Sequence, residues 1–504
     1  MKTLLANPSY KQDINRKYER YYIRSGSRWP HSGVKIKGSL PHYLPFPFFL
    51  AYSASLLKEA GFEVYVIDAI ALDISEETLL ERIGKIKPHL IFYEVTTPTL
   101  SYDLLFAKKI KGVSNSKIIV GGTHATTYAH QILKENESID FVLKGEYELS
   151  LLELARYLRQ EGDNPPLSSV SRNKGEIIDK GYPSPIEPLD KLPFPLRDIF
   201  PANDSPDPTI YWDGFSQIRP AVQMQSSRGC PYRCYFCLWN QVIYNNGKYR
   251  TFSSKRVGDE IQELIVKYKA KELYFDDDDF TIDKEHILSI CEEILKRKLK
   301  IRWSCMGDAI NLTDEILRLM AKSGCIGIKF GVESGSERIL KTIGKPIDLK
   351  KTREILKYCR KYRIKTQAAF IIGLLGETGE DLRKTIEFAN TLTADAIQIS
   401  IATPYPGTEF FKMAKEKGLL KNVAWQKYNG KISEVVQLPN LNGRKIEKIR
   451  RKVFIIWFLK RLLSPFWCLR HIRIILRTLN GLGPIFFSKQ FIGVIIDEWK
   501  NREA

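Results

Sequence analysis

Two long stretches of the chain alternate between apolar runs and segments whose apolar residues recur with helical spacing. Residues 1–160 contain five such runs: KTLLANP, FEVYVIDA, PHLIFYEVTTPT, SKIIVGGTHAT and DFVLKGEYE. Segments with apolar residues every three or four positions lie between them. Near-continuous apolar strands flanked by helices are typical of a parallel sheet that is covered on both faces. The pattern therefore predicts a doubly wound α/β unit over residues 1–160.

The second alternation follows a stretch of different composition. Residues 161–220 are rich in proline, serine and aspartate and predict a linker. Residues 221–428 repeat a strand-like run and a helix-like segment six times, which predicts a partial (β/α)6 barrel of the TIM type. In such barrels, as in Rossmann-like doubly wound units, ligands gather at the carboxyl ends of the parallel strands. Residues 429–504 are basic and apolar together and predict a helical C-terminal region, interrupted near Pro465.

The basic C-terminal tail could bind one of several partners. The chain of 504 residues has a net charge of +20, much of it near the C-terminus. RRKVFIIWFLKRLLSPFWCLRHIRIIL is typical of an interfacial helix on anionic lipid, and the alternative is a helix that covers the barrel with its apolar face. Its bulky apolar residues argue against a nucleic-acid partner. No apolar run reaches the roughly 18 residues of a membrane span. The scattered single cysteines predict a cytoplasmic protein, and the tail predicts peripheral contact at the inner face of the membrane.

Three of the eight cysteines lie in one window just after the first strand of the predicted barrel. These are Cys230, Cys234 and Cys237, in the sequence SSRGCPYRCYFC. A structural zinc site closes its tetrahedron with four protein ligands, whereas three ligands leave one coordination position open for chemistry. The alternatives are a zinc knuckle without its fourth ligand and three unrelated cysteines.

The spacing Cys-x3-Cys-x2-Cys after a first barrel strand resembles the radical S-adenosylmethionine (SAM) family. The resemblance implies that the three thiolates, Cys230, Cys234 and Cys237, hold a [4Fe-4S] cluster and act in catalysis. It also implies that SAM binds the fourth iron and is cleaved reductively to a 5′-deoxyadenosyl radical. An electron donor such as flavodoxin or ferredoxin is then required.

Further motifs fit the same resemblance: GVESGSERIL, FIIGLLGET and FDDDDF. The resemblance places one of the central aspartates of FDDDDF near the cofactor, and the alternative is a solvated turn that caps the next helix. One departure is that Met306 or Gly307 stands where many relatives have an arginine for the SAM carboxylate. The predicted SAM-binding residues are Phe236, Asp277, Asp278, Glu333, Ser334, Gly335, Ile372 and Gly373.

A doubly wound unit ahead of such a barrel resembles the cobalamin-binding subgroup, which includes class B radical SAM methyltransferases and the anaerobic magnesium-protoporphyrin cyclases. The motif Asp-x-His-x-x-Gly, which puts a histidine on cobalt, is absent after the first strand. His124 is a candidate ligand, and its alternatives are packing at the turn and contact with the periphery of the corrin. Methylthiotransferases are disfavoured because no cysteine precedes Cys230. The predicted cobalamin-binding residues are Thr96, Thr97, Gly121, Gly122, His124, Gly145 and Glu146.

The resemblance implies that the enzyme methylates an unactivated carbon with the help of cobalamin. Cyclisation or rearrangement without methyl transfer is the first alternative, and a lapsed relative that binds lipid or RNA is the second. The aromatic front-end sequences GSRWPHSG and LPHYLPFPFF and the apolar tail favour a lipid-like, terpenoid or tetrapyrrole-like substrate.

Overall fold

The computed structural model describes residues 1–41, 43–161, 165–166, 168–430, 434–439, 441, 443–463 and 467–468. The N-terminal strands, in chain order, are β1 (Lys2–Asn7), β2 (Lys11–Asp13), β3 (Tyr18–Ile23), β4 (His31–Ile36), β5 (Glu63–Asp68), β6 (Leu90–Glu94), β7 (Lys117–Gly121), β8 (Phe141–Leu143), β9 (Ser169–Asn173) and β10 (Glu176–Asp179). The helices among them are α1 (Phe48–Glu59), α2 (Glu76–Ile86), α3 (Leu100–Val113), α4 (Thr123–Thr127), α5 (Ala129–Glu135) and α6 (Glu148–Leu158).

Seven of these strands form one sheet in the order β10-β9-β8-β7-β6-β1-β5. Within this order the four strand pairs β5–β1, β1–β6, β6–β7 and β7–β8 are parallel, as the apolar runs predict. Neighbouring residues on one strand pack on opposite faces: Leu5 joins the core on one side and Leu4 the core on the other. The sheet is therefore covered on both faces and is doubly wound.

Two parts of this half depart from the sequence pattern. Strands β2, β3 and β4 form a separate antiparallel sheet within residues 11–36, where the sequence showed no apolar alternation. Strands β9 and β10 form an antiparallel hairpin that extends the large sheet into the predicted linker. Residues 169–179 thus belong to the sheet and not to a linker. Hydrogen bonding to β8 forms these strands, although their polar sequence does not predict them.

The second half contains a parallel sheet of six strands in the order β11-β14-β15-β16-β17-β18. Its strands, with a short antiparallel pair β12-β13, are β11 (Ala221–Met224), β12 (Ser227–Arg228), β13 (Arg250–Thr251), β14 (Glu272–Phe275), β15 (Arg302–Gly307), β16 (Cys325–Glu333), β17 (Lys365–Ile372) and β18 (Ala396–Ile401). The helices are α7 (Ser254–Tyr268), α8 (Lys284–Lys296), α9 (Asp314–Lys322), α10 (Glu337–Ile343), α11 (Leu349–Lys361), α12 (Gly379–Thr391), α13 (Glu409–Glu416) and α14 (Gly443–Leu462). This is the partial barrel that the six repeats predict.

Helix α14 packs on the outside of this barrel. Ile449 and Val453 on the helix line a small apolar cavity together with Phe370 and Ile399 of the outer face of β17 and β18. For this helix the alternative prediction, an apolar face that covers the barrel, is the one observed. The predicted break at Pro465 and the tail after residue 468 lie outside the described residues. No helix in the described part of the chain is long and apolar enough to cross a bilayer.

Candidate active site

The three cysteines lie on one loop at the carboxyl end of the barrel strands, directly after β12. Two side-chain amides brace this loop from a π-helical turn, Trp239–Ile243. Gln241 Nε2 donates to the carbonyl oxygens of Cys234, Tyr235 and Cys237 at 2.9–3.1 Å. Asn240 Nδ2 donates to the carbonyl oxygen of Cys230 at 3.1 Å. The sequence analysis did not predict this role, because an amide after a cysteine motif is not distinctive.

The environment of the thiols fits their use as metal ligands. None of the three is in a disulfide. Burial raises the pKa of Cys234 to about 12 and that of Cys237 to about 11, so each thiolate needs a compensating charge. Backbone N–H groups provide part of this compensation, from Tyr232 towards Cys230 and from Asn240 towards Cys237. Such N–H···S contacts are among the features that tune iron–sulfur clusters.

The aspartates of FDDDDF differ in how their oxygens are used. Asp277 is fully buried and accepts from the backbone N–H groups of Ser226 and Ser227 at 2.6 and 3.2 Å, and from the Ser226 hydroxyl at 2.5 Å. Asp278 Oδ2 accepts from the Gly229 N–H at 2.9 Å, next to the first cysteine. These two aspartates therefore hold the backbone just before the first cysteine. The second oxygen of Asp278, Oδ1, remains available as an acceptor.

A largely buried lysine that the sequence analysis missed, Lys345, lies among carboxylates at the same mouth. Lys345 Nζ is 3.1 Å from Glu333 Oε1 and donates to the Gly331 carbonyl at 3.0 Å. Burial disfavours its charge, but the carboxylates of Glu333, Asp308 and Asp279 raise the pKa of Lys345 above its usual value. Burial and the neighbouring Asp308 carboxyl raise the pKa of Asp279, which favours its protonated form. The mouth thus offers a cation and several acceptors beside the cysteine loop.

The remaining predicted SAM residues lie at the ends of β16 and β17. Ser334 is buried and its hydroxyl is 3.0 Å from Thr385 Oγ1 of α12. A Cβ at Gly335 would lie 2.6 Å from the Phe388 Cβ, so packing of α12 explains this glycine. Ile372 points outward into the apolar cavity beneath α14. The Gly373 N–H donates to Glu377 Oε2 at 2.5 Å, which holds the turn that ends β17.

Five of the predicted cobalamin residues come together at the carboxyl edge of the N-terminal sheet. Thr96 and Thr97 follow β6, and Gly121, Gly122 and His124 end β7 and begin α4. His124 Nδ1 lies 3.1 Å from Thr97 Oγ1, and burial lowers the pKa of His124 to about 3. Its ring packs on Tyr128 and Trp425 at centroid distances of 4.9 and 5.3 Å. The packing interpretation of His124 therefore describes its position.

Several buried polar atoms at this edge lack partners. The Asn7 Oδ1 at the end of β1, the Thr123 Oγ1 at the start of α4 and two nitrogens of Arg24 find no hydrogen-bond partner among the described residues. Buried polar groups are nearly always satisfied, so unpaired ones at a sheet edge fit a polar ligand. Gly122 has a φ of +90°, and a Cβ at this position would lie only 3.1 Å from the Val95 carbonyl oxygen. Glycine therefore suits both the backbone conformation and the limited space at this edge. This edge fits a bound corrinoid or its nucleotide tail.

Gly145 and Glu146 lie instead at the junction between the two sheets. Gly145 faces the Ile243 carbonyl at the end of the π-helical turn. Glu146 forms ion pairs with Arg228 at 3.1 Å and Arg250 at 2.9 Å, both from the barrel half. Their contacts are with protein groups, and they connect the N-terminal unit to the loop that carries the first cysteine.

A cation from a distant part of the chain lies at the end of β15. Nη2 of Arg28, on the loop between β3 and β4, is 3.5 Å from the sulfur of Met306. No single-sequence pattern links residue 28 to residue 306, so only the tertiary structure brings them together.

Comparison with known proteins finds a different family in each half of the chain. Residues 42–155 match the B12 binding domain, and residues 224–389 match the Radical SAM superfamily. An uncharacterized methyltransferase of Pyrococcus horikoshii is 31% identical over 445 residues, which cover 88% of this chain and 94% of the relative. The chain belongs to the cobalamin-binding radical SAM enzymes. Its cofactors are accordingly a [4Fe-4S] cluster, SAM and cobalamin.

Two further relatives extend this family assignment. The anaerobic magnesium-protoporphyrin IX monomethyl ester cyclase of Rubrivivax gelatinosus is 27% identical over 79% of this chain and 70% of its own. The radical SAM methyltransferase TsrM of Kitasatospora setae has the same fold, with a TM-score of 0.62 and 18% identity over 82% of this chain and 75% of its own. The family, fold class, enzyme class and cofactor set predicted from the sequence are confirmed.

Proposed function

We propose that this enzyme transfers a methyl group to an unactivated carbon of a small molecule that binds between the barrel mouth and the N-terminal sheet. The observation that carries the proposal is the cysteine loop with its free thiols, which faces a doubly wound domain of the B12-binding type. The 31% identity to a methyltransferase over almost the whole relative supports methyl transfer in particular.

On the cluster side, the chain's own groups suit each part of the SAM molecule. Cys230, Cys234 and Cys237 would hold the cluster. The second oxygen of Asp278 suits the SAM ammonium, and Lys345 suits its carboxylate. The ribose hydroxyls would be accepted by Glu333. Two opposite charges held in one partly buried place favour an amino acid group in a single orientation.

Aromatic and backbone groups complete this side of the site. Phe236 precedes the last cysteine, and its ring lies 6.2 Å from that of Trp29. The turn at Gly373 offers backbone polar groups for the adenine, with its geometry held by Glu377. Ser334, Gly335, Ile372 and Asp277 would act indirectly, because their contacts support these elements.

On the cobalamin side, Thr96, Thr97 and Gly122, together with Arg24 and Thr123, would hold the corrinoid and its tail. His124 is packed between aromatic rings and would support the turn. When bound, the cluster with SAM supplies one-electron cleavage of a sulfonium C–S bond, and cobalamin supplies a methyl carrier. The protein's part is to hold both cofactors on facing edges and to exclude water from the substrate between them.

The substrate class is proposed from the relatives and the sequence. The cyclase relative is named for a protoporphyrin ester, which supports a tetrapyrrole-like substrate. The lipid-like alternative rests on the basic, apolar tail from residue 450 and on the front-end aromatics, and contact with a membrane rests on the same tail. The part of this tail after residue 468 lies outside the described residues. A low-potential electron donor such as flavodoxin or ferredoxin is the expected protein partner.

Cyclisation without methyl transfer is the second candidate, since the cyclase shares 27% identity over 420 residues. The two functions differ in the fate of the SAM methyl group. The anaerobically reconstituted enzyme would be incubated with methyl-deuterated SAM, a reductant and a small-molecule extract of the source cells. We expect 5′-deoxyadenosine and an extract component that gains the labelled methyl group.

The control is the variant with alanine at all three thiol positions, which should form neither product. A product that has lost hydrogen but gained no label would support cyclisation. Cleavage of SAM by the triple-alanine variant would contradict the assignment of the cluster to these cysteines.

A further inference from the structure

The loop of residues 24–30, between β3 and β4, is anchored in the N-terminal unit at its first residue. Arg24 is fully buried, and its Nη1 lies 2.5 Å from Asp103 Oδ1 of α3. Gly26 has a φ of +84°, and a Cβ there would lie 2.5 Å from the Phe46 carbonyl oxygen, so a side chain would not fit. The start of the loop therefore has one defined path.

The end of the same loop is anchored on the barrel. The Trp29 ring lies 6.2 Å from that of Phe236 on the cysteine loop. The Tyr405 hydroxyl, after β18, donates to the Pro30 carbonyl at 2.8 Å. The loop thus spans from the edge proposed for cobalamin to the loop that carries the cluster ligands.

Arg28 makes the charged contact between the two halves at this point. Its Nη1 donates to the Asp276 carbonyl and its Nη2 to Asp276 Oδ1, both at 2.8 Å. Its Nε lies 4.0 Å from Asp278 Oδ1. The side chains of Arg28, Asp276 and Asp278 are 15%, 8% and 11% exposed. Such a two-point contact fixes the direction of both the carbonyl and the carboxylate of Asp276.

The contact of Arg28 with Asp276 also restricts the position of Asp278, two residues further along the same turn. Asp278 Oδ2 is held by the Gly229 N–H, and Oδ1 has only Arg28 at 4.0 Å as a charged neighbour within salt-bridge distance among the described residues. Arg28 therefore fixes the backbone that carries Asp278 and offsets the repulsion between two adjacent carboxylates.

We propose that Arg28 is a positioning residue for SAM: the N-terminal unit supplies it to the barrel mouth, so the SAM site is complete only when the two halves are docked. Arg28 acts through Asp278. This inference therefore rests on the role proposed above for the Asp278 carboxylate. Residues 24–30 would then couple occupation of the cluster side to the arrangement of the domain that carries cobalamin.

The test measures SAM binding by the full-length, anaerobically reconstituted enzyme with cobalamin present. Equilibrium dialysis without reductant keeps SAM intact. The variants are Arg28→Met, Arg28→Lys, Asp278→Asn and the double variant Arg28→Met with Asp278→Asn. Arg16→Met is the matched control, because Arg16 is an exposed arginine in the turn between β2 and β3 of the same small sheet. Iron, cobalamin content and melting temperature are measured on every variant.

We expect Arg28→Met to weaken SAM binding about tenfold, the equivalent of one lost charged hydrogen bond. Arg28→Lys should restore part of the affinity, because it keeps the charge near Asp278 but loses the two-point contact with Asp276. The double variant should bind no more weakly than Asp278→Asn alone, because the two residues act together. Iron and cobalamin contents should stay at the level of Arg16→Met.

Three results would overturn the proposal. Unchanged SAM affinity in Arg28→Met, with weakened binding in Asp278→Asn, would reject the positioning role of Arg28. The role proposed for Asp278 in SAM binding would stand. Unchanged affinity in Asp278→Asn would reject the role of Asp278, and the inference with it. Parallel loss of iron, cobalamin and SAM affinity in Arg28→Met, without rescue by lysine, would show that Arg28 only holds the fold together.

Discussion

Individual carboxylates in this protein differ because their surroundings differ, although several come from one short motif. Both oxygens of Asp277 accept from backbone or hydroxyl donors, whereas Asp278 uses one oxygen for the Gly229 N–H and retains the other. Glu377 is a further case: it accepts from the N–H groups of Gly373 and Leu374, and its Oε1 has no partner among the described residues. Burial, with a smaller effect of Asp381, raises the pKa of Glu377 from 4.5 to about 7.

The raised pKa of Glu377 predicts a pH-dependent stability. Between pH 4.5 and about 7 the folded protein keeps a proton that the unfolded chain has lost, so this residue's contribution to stability falls as pH rises through that window. Glu377→Gln cannot ionise. We expect its stability relative to wild type to increase from pH 5 to pH 8, by on the order of 2–3 kcal/mol.

Urea unfolding at both pH values would measure this difference. The control is Glu416→Gln, at an exposed position at the end of α13, which should show no such trend. A constant difference between Glu377→Gln and wild type across the two pH values would contradict the prediction.

At the scale of elements, the cysteine loop depends on the π-helical turn that follows it. A π-turn places Asn240 and Gln241 side by side beneath the loop, where their amides satisfy its carbonyls. Gln241 Oε1 also accepts from the Glu409 N–H at 2.8 Å, which ties the loop to the start of α13. π-turns are rare and occur frequently at functional sites.

We expect Gln241→Ala to loosen the loop, because three carbonyl oxygens lose their donor at a cost of about 1–3 kcal/mol. The reconstituted variant should retain less iron than wild type after gel filtration. Gln131→Ala, which removes only an exposed contact with Glu135, should retain the wild-type amount. Full iron content in Gln241→Ala would argue that the backbone holds the loop without this amide.

At the scale of the whole molecule, a buried ion-pair network joins the two halves. Arg228 Nη1 lies 2.7 Å from Glu148 and 3.1 Å from Glu146, and Arg250 pairs with the second oxygen of Glu146. These side chains are at most 4% exposed. The Arg228 guanidinium also lies 4.5 Å from the ring centre of Phe49 on α1. The loop that carries Cys230 is thereby fixed relative to the N-terminal sheet.

Removal of the central charge should destabilise the whole protein. Arg228→Met leaves two buried carboxylates with one cation between them, and breaking such pairs costs about 3–5 kcal/mol. Arg383→Ala is the control, because its pairs with Glu380 and Glu387 are exposed and should contribute at most about 1 kcal/mol. Equal unfolding midpoints in urea for the two variants would contradict a structural role for the network.

Local patterns were sufficient to predict both large sheets and the barrel, and to place the three cysteines together at the carboxyl end of its strands. Apolar strands that are buried on both faces leave a continuous signal, and Cys230, Cys234 and Cys237 are held by spacing within eight residues. Thr96, Thr97, Gly121, Gly122 and His124 could be grouped for a similar reason, since parallel strands end at one edge. The small sheet β2–β4 and the hairpin β9–β10 lacked such a signal because their residues are polar or mixed.

The sequence by itself determined the family, the fold class, the cofactor set and the place of the three cysteines on one loop. Only the tertiary structure decided which distant side chains meet: Arg28 with Asp276, Lys345 with Glu333, and Glu146 with Arg228. The physical reason is that short-range spacing constrains neighbours through backbone geometry, whereas contacts between separate elements depend on how the sheets and loops pack.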